Sequence, residues 1–126
     1  MAEFSTETKP LWTTTREAMG KTWNVELLPD TLPFHEDHPF RHLGASYFHR
    51  DYVRINAGLG LQNRDATLLH ELLHLASDAS NGVLTEKVVE TITPALFAFL
   101  RGFGLWQEFP WPDREENYTQ AQERDG

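Results

Sequence analysis

A chain of 126 residues with a formal net charge of −8 and no cysteine suits one small domain. It excludes disulfides, thiolate metal sites and a cysteine nucleophile. Its acidity disfavours nucleic acid, which wants a basic footprint, and no apolar run approaches the ~20 residues of a membrane span. The polar, acidic start from Met1 to Glu7 lacks signal-peptide character, so the cytoplasm is the expected compartment, with no membrane partner.

Residues 1–10 read as a flexible leader and the charged stretch 113–126 as a disordered tail, leaving a domain over 11–112. Thr14 followed three residues later by Glu17 fits a capping box. It predicts a short helix over 15–19, ended by Gly20. Trp23, Val25 and Leu27 alternate with polar residues and predict a half-buried strand over 22–28. Residues 32–43 hold Pro33 and Pro39 among His35, Glu36, Asp37, His38 and His42. The prolines forbid a helix that would set ligand spacing, so a solvated loop is expected there rather than a second metal site. Residues 44–56 read as a β-hairpin with Val53 and Ile55 inward.

Asn63 or Asp65 offers a cap for the next helix, which runs to Ala79 and ends at Ser80-Asn81-Gly82. A further helix is expected over 85–101, with Val88, Val89, Ile92, Leu96, Phe99 and Leu100 as its apolar stripe. Pro94 inside it predicts a kink or a split. Leu105-Trp106 and Phe109 to Pro112 are expected to fold back as an aromatic cover. This order gives an α+β fold, a small, mainly antiparallel sheet packed against two helices.

The chemistry lies in Leu69-His70-Glu71-Leu72-Leu73-His74. It reads H-E-x-x-H, and residues four apart share one helix face. His70 and His74 can therefore reach one metal ion, while Glu71 points beside it as a general base for a metal-activated water. Glu71 is the only charge between Ala66 and Ser77. The helix is thus expected to be buried nearly all round, where three polar groups without partners would be costly. The alternative is a core helix with two hydrogen-bonded histidines.

A catalytic zinc needs a third protein ligand. The metzincin pattern is absent, because Ser77 and Ser80 stand where it needs Gly and His. Glu86 and Glu90, one turn apart downstream, both qualify as the carboxylate of a gluzincin pattern.

The stretch Thr67 to Ala76, with Leu84 to Leu96, resembles the zincin metallopeptidases of gluzincin type. In particular it resembles small phage-encoded minimal relatives of the ImmA/IrrE-like metallopeptidases. The resemblance spans residues 44–104 and implies a minimal zincin-like domain. It places the third ligand on Glu86, within Glu-x-Val-Val-x-x-x-x-Pro, with Glu90 accepting a hydrogen bond from a motif imidazole. Glu90 as the ligand stays an alternative, since the span from His74 to Glu86 is short.

The implied activity is zinc-dependent hydrolysis of a protein or peptide substrate. His70, His74 and Glu86 hold Zn2+, and Glu71 is the catalytic base. Tyr47, His49, Tyr52, His35, His38 and His42 are the candidates for a further oxyanion donor. A substrate strand is expected along the hairpin edge. So small a domain leaves room for an activating protein partner. The competing reading is a non-catalytic, zinc-stabilised binding module, with His49 or Asp78 closing the coordination sphere as a fourth ligand.

Overall fold

The computed structural model describes residues 10–29 and 44–112. Strands β1 (Trp12–Ala18), β2 (Lys21–Leu28), β3 (Gly44–Tyr47) and β4 (Tyr52–Asn56) form one sheet in the order β1-β2-β4-β3. Helices α1 (Leu61–Ala79) and α2 (Glu86–Gly102) follow. The fold is α+β with a small mixed sheet. β1 with β2 and β3 with β4 are antiparallel, and the central pairing of β2 with β4 is parallel. The leader before Pro10, the loop residues His35, His38 and His42, and the tail after Pro112 lie outside the described residues.

One expected element is wrong in kind. Residues 15–19 are not a helix, because β1 runs through Thr13, Thr14 and Thr15 to Ala18. Three successive β-branched residues favour extended backbone. Met19 and Gly20 both have positive φ, 55° and 73°, which makes the tight two-residue turn that hairpins prefer. Ala18 then pairs with Lys21, and Arg16 with Trp23. The Thr14/Glu17 spacing mimics a cap, but pairing with β2 outweighs it.

The core sits between one sheet face and α1. Trp23, Val25 and Leu27 of β2 and Val53 and Ile55 of β4 meet Leu68 and Leu75 of α1. The alternation expected of the strands is thus realised. Trp12, Trp111 and, partly buried, Phe109 close one end as a ring cluster, so the aromatic cover forms, although Leu105 stays exposed. Its anchor is unforeseen. Asp65 is no cap. It is 3% exposed and accepts hydrogen bonds from Trp106 Nε1 at 2.8 Å and Trp111 Nε1 at 2.6 Å. Beside it, buried Arg64 donates to the carbonyls of Leu59, Ala57 and Pro112. The N-cap is Gly60, without a side-chain cap bond, so neither Asn63 nor Asp65 serves there.

α1 is not buried all round. Leu61, Leu72 and Ala76 are exposed, because the sheet and α2 cover only two of its sides. α2 also buries only part of its expected apolar stripe, Val89 fully and Leu96 and Leu100 in part. Val89, Thr93 and Phe97 turn inward, while Val88, Ile92 and Phe99 stay exposed. Thr93 enters the buried row because its hydroxyl donates to the Val89 carbonyl at 2.6 Å, which satisfies its polar atom locally. The helix is continuous across Pro94 rather than split. Among the described residues, no helix is long and apolar enough to cross a membrane.

Candidate metal centre

α1 carries His70 and His74 one turn apart, and a tight connection swings α2 back against them. Ser77 builds that connection. Its carbonyl accepts from Ser80 N and Gly82 N, and its buried hydroxyl bonds both the N–H and the carbonyl of Leu84. Asn81 and Gly82 adopt the left-handed conformation the turn requires, φ 67° and 69°. Thr85 then caps α2 by accepting from Val88 N. The short span from His74 to Glu86 is thereby accommodated. Glu86 falls in the first turn of α2, where the helix dipole favours a carboxylate.

The three side chains converge. His70 Nε2 and His74 Nε2 lie 3.2 Å apart. Glu86 Oε1 is 2.6 Å from His74 Nε2, and its Oε2 is 3.6 Å from His70 Nε2. The two Glu86 distances belong to different oxygens, but one ligand atom from each residue lies within 4.8 Å of the other two, near enough for the three to converge on one metal ion. Among the described residues, no other His or carboxylate joins the group. Asp78 lines the cleft and His49 the hairpin tip, and neither closes the set. Glu90 also lines the cleft but makes no hydrogen bond to either imidazole. Standing one turn further along α2, it acts on His70 through its charge alone, so its expected bond to a motif ring is not formed.

Glu71 faces the other way from Glu86, toward the sheet edge. It is 6% exposed, and its Oε1 accepts from Ser46 Oγ at 2.8 Å. Gly44 lets β3 come this close. A Cβ there would stand 2.7 Å from Thr67 Cγ2 and 3.3 Å from Glu71 Oε2. Burial pushes the Glu71 carboxyl up to about 7, against the downward pull of the Ser46 bond and of His74. Burial also lowers the pKa of His70, although Glu86 opposes this. A depressed imidazole is neutral near pH 7, the form that ligates metal.

A cleft of about 920 Å³ opens over this group, with Ser46, Thr67 and Glu71 on one wall and Glu90 and Pro94 on the other. A smaller cavity of about 430 Å³ adjoins it at the hairpin tip and shares Ser46 and Asp78 with it. Tyr47 and His49 line that smaller cavity, not the cleft. Tyr52 packs against Tyr47 at a tilt, with Arg54 over its ring. These three candidate oxyanion donors thus stand away from the three ligand atoms.

No protein-family model, curated protein or solved structure matches the chain. The site is therefore read from its own geometry. That geometry brings together His70, Glu71, His74 and Glu86, and adds Ser46 and Gly44, which pattern reading missed. The available signal was two small residues alternating around Ala45, the face on which a strand lies close against a helix.

Proposed function

We propose that the protein is a zinc-dependent peptidase of gluzincin type. The observation that carries this is the pairing of three ligand atoms, from His70, His74 and Glu86, with the buried Glu71 carboxyl that Ser46 holds beside them, its pKa pushed up by burial. A general base is most effective when its pKa lies near the working pH. His70, His74 and Glu86 would hold the ion, and two imidazoles with one carboxylate suit zinc. Bound there, zinc would polarise a scissile carbonyl and acidify a water. Glu71 takes the proton of the attacking water and returns it to the leaving amine. Ser46 keeps one carboxylate oxygen occupied and leaves the other for that transfer. β3 is an edge strand beside the cleft, so an extended peptide can lie along it by strand addition.

The binding-module reading has less support. A structural zinc is normally closed by four protein ligands, whereas this group has three among the described residues, and Glu86 is 60% exposed. The test incubates zinc-loaded protein with a denatured proteome and counts new amino termini by mass spectrometry. Glu71→Gln should keep its zinc and lose at least ~100-fold in cleavage rate. Cleavage by the variant at the wild-type rate would sink the proposal, as would none by a fully loaded wild type.

A further inference from the structure

The side of α2 turned away from Glu86 carries a row of apolar residues that the described residues leave partly open at Val88 and Ile92 and largely open at Phe99 and Phe103. Val88, Ile92, Ala95, Phe99 and Phe103 follow one another at spacings of three and four, the repeat that makes a single stripe along a helix. Phe99 is 64% and Phe103 75% exposed, and their rings pack edge to face at 6.2 Å. Val88 and Ile92 are exposed as well. No charged side chain interrupts the stripe. At roughly 100° per residue Val88, Ala95 and Phe99 lie well over a third of a turn around the helix from Glu86, so covering them leaves the candidate metal centre open.

The order of residue sizes identifies the occupant. Set a second copy of α2 antiparallel to the first, with the twofold axis between Ala95 and Leu96. Ile92 of each helix then faces Phe99 of the other, and Val88 faces Phe103. Smaller side chains oppose larger ones throughout. The small Ala95 at the centre allows close approach of the two axes. This is the self-complementarity that a twofold interface requires. The stripe exposes on the order of 400 Å² of apolar surface. Paired with its rim, it buries on the order of 1,000 Å², the lower bound of a specific interface. From this pattern we infer that α2 is a dimerisation helix, whose partner is a second copy of this chain in antiparallel register.

The lack of cysteine gives a clean test. In this register residue 95 and its twofold mate are offset by only about 1.5 Å along the axis, close enough for a disulfide. Residue 98 is offset by about 7.5 Å and lies to one side. Full-length protein is examined by sedimentation equilibrium and by oxidation of two single-cysteine variants, Ala95→Cys and Ala98→Cys. A wild-type dimer with a micromolar dissociation constant is expected. Ala95→Cys should cross-link and Ala98→Cys should not, and Phe99→Glu should weaken the dimer at least 100-fold. A monomer at 200 µM would overturn the inference, as would a dimer that cross-links through Ala98→Cys or fails to cross-link through Ala95→Cys. Should Phe99→Glu destabilise a protein that is monomeric throughout, the chain itself covers the stripe, and the inference also fails.

Discussion

Two clusters of polar side chains sit on the same helix, less than two turns apart, and they are built oppositely. At the start of α1, Arg64 and Asp65 are buried with their partners at hand: three carbonyls for the guanidinium and two indole N–H groups for the carboxylate. Further on, His70, Glu71 and His74 are buried or half-buried with too few partners. The imidazoles face each other and one exposed carboxylate, and Glu71 has a single serine bond. A satisfied cluster ties chain segments together, whereas an under-satisfied one keeps desolvated groups ready for a ligand. The first cluster pins the 105–112 segment to the core, and the second is the one we propose to take an ion and a water.

The largest effect should come from breaking the satisfied cluster. Asp65→Ala leaves two buried indole donors unpaired and should cost on the order of 3–5 kcal/mol in denaturant unfolding. Loss below ~1 kcal/mol would mean water replaces the carboxylate there. The under-satisfied cluster should respond with the opposite sign. In metal-free protein the folded Glu71 carboxyl holds its proton up to about 7, above the ordinary 4.5. Its contribution is therefore favourable below pH 4.5 and is lost as pH rises through 7. Relative to the wild type, Glu71→Gln should gain stability over that window, reaching about 3 kcal/mol at pH 8. A flat difference between pH 5 and 8 would contradict the burial of the ionised base. Ser46→Ala is expected to cost about 1 kcal/mol and to raise the Glu71 pKa further, since the lost bond pulled it down, which carbon-detected titration of the carboxyl reads. Smallest of all, His74→Ala in metal-free protein should change stability by less than ~1 kcal/mol, and a larger loss would make the imidazole pair structural.

The alternation of β2 and β4 and the span of α1 were legible because period-2 and period-3.6 patterns report burial directly. The first strand was not, since the Thr14/Glu17 spacing satisfies a local rule that β-pairing overrides. His70 and His74 could be read as a pair because four-residue spacing places side chains on one helix face before any tertiary contact exists, whereas Glu86, on a second helix, was separated from Glu90 only through the resemblance. Ser46 and Gly44 could not, because their role depends on how near β3 comes to Thr67 and Glu71, a distance set by the whole sheet. Asp65 misled for a related reason. A carboxylate near a helix start is usually a cap, and only the return of Trp106 and Trp111 from forty residues away makes it an anchor.

We propose that His70, His74 and Glu86 form a metal site and that Glu90 does not belong to it. Zinc titration of metal-free protein, with native mass spectrometry of the wild type, Glu86→Ala and Glu90→Ala, tests it most directly. One zinc per chain is expected, with affinity falling at least ~100-fold in Glu86→Ala and less than ~10-fold in Glu90→Ala. No zinc bound by the wild type at neutral pH, or equal losses in the two variants, would contradict it.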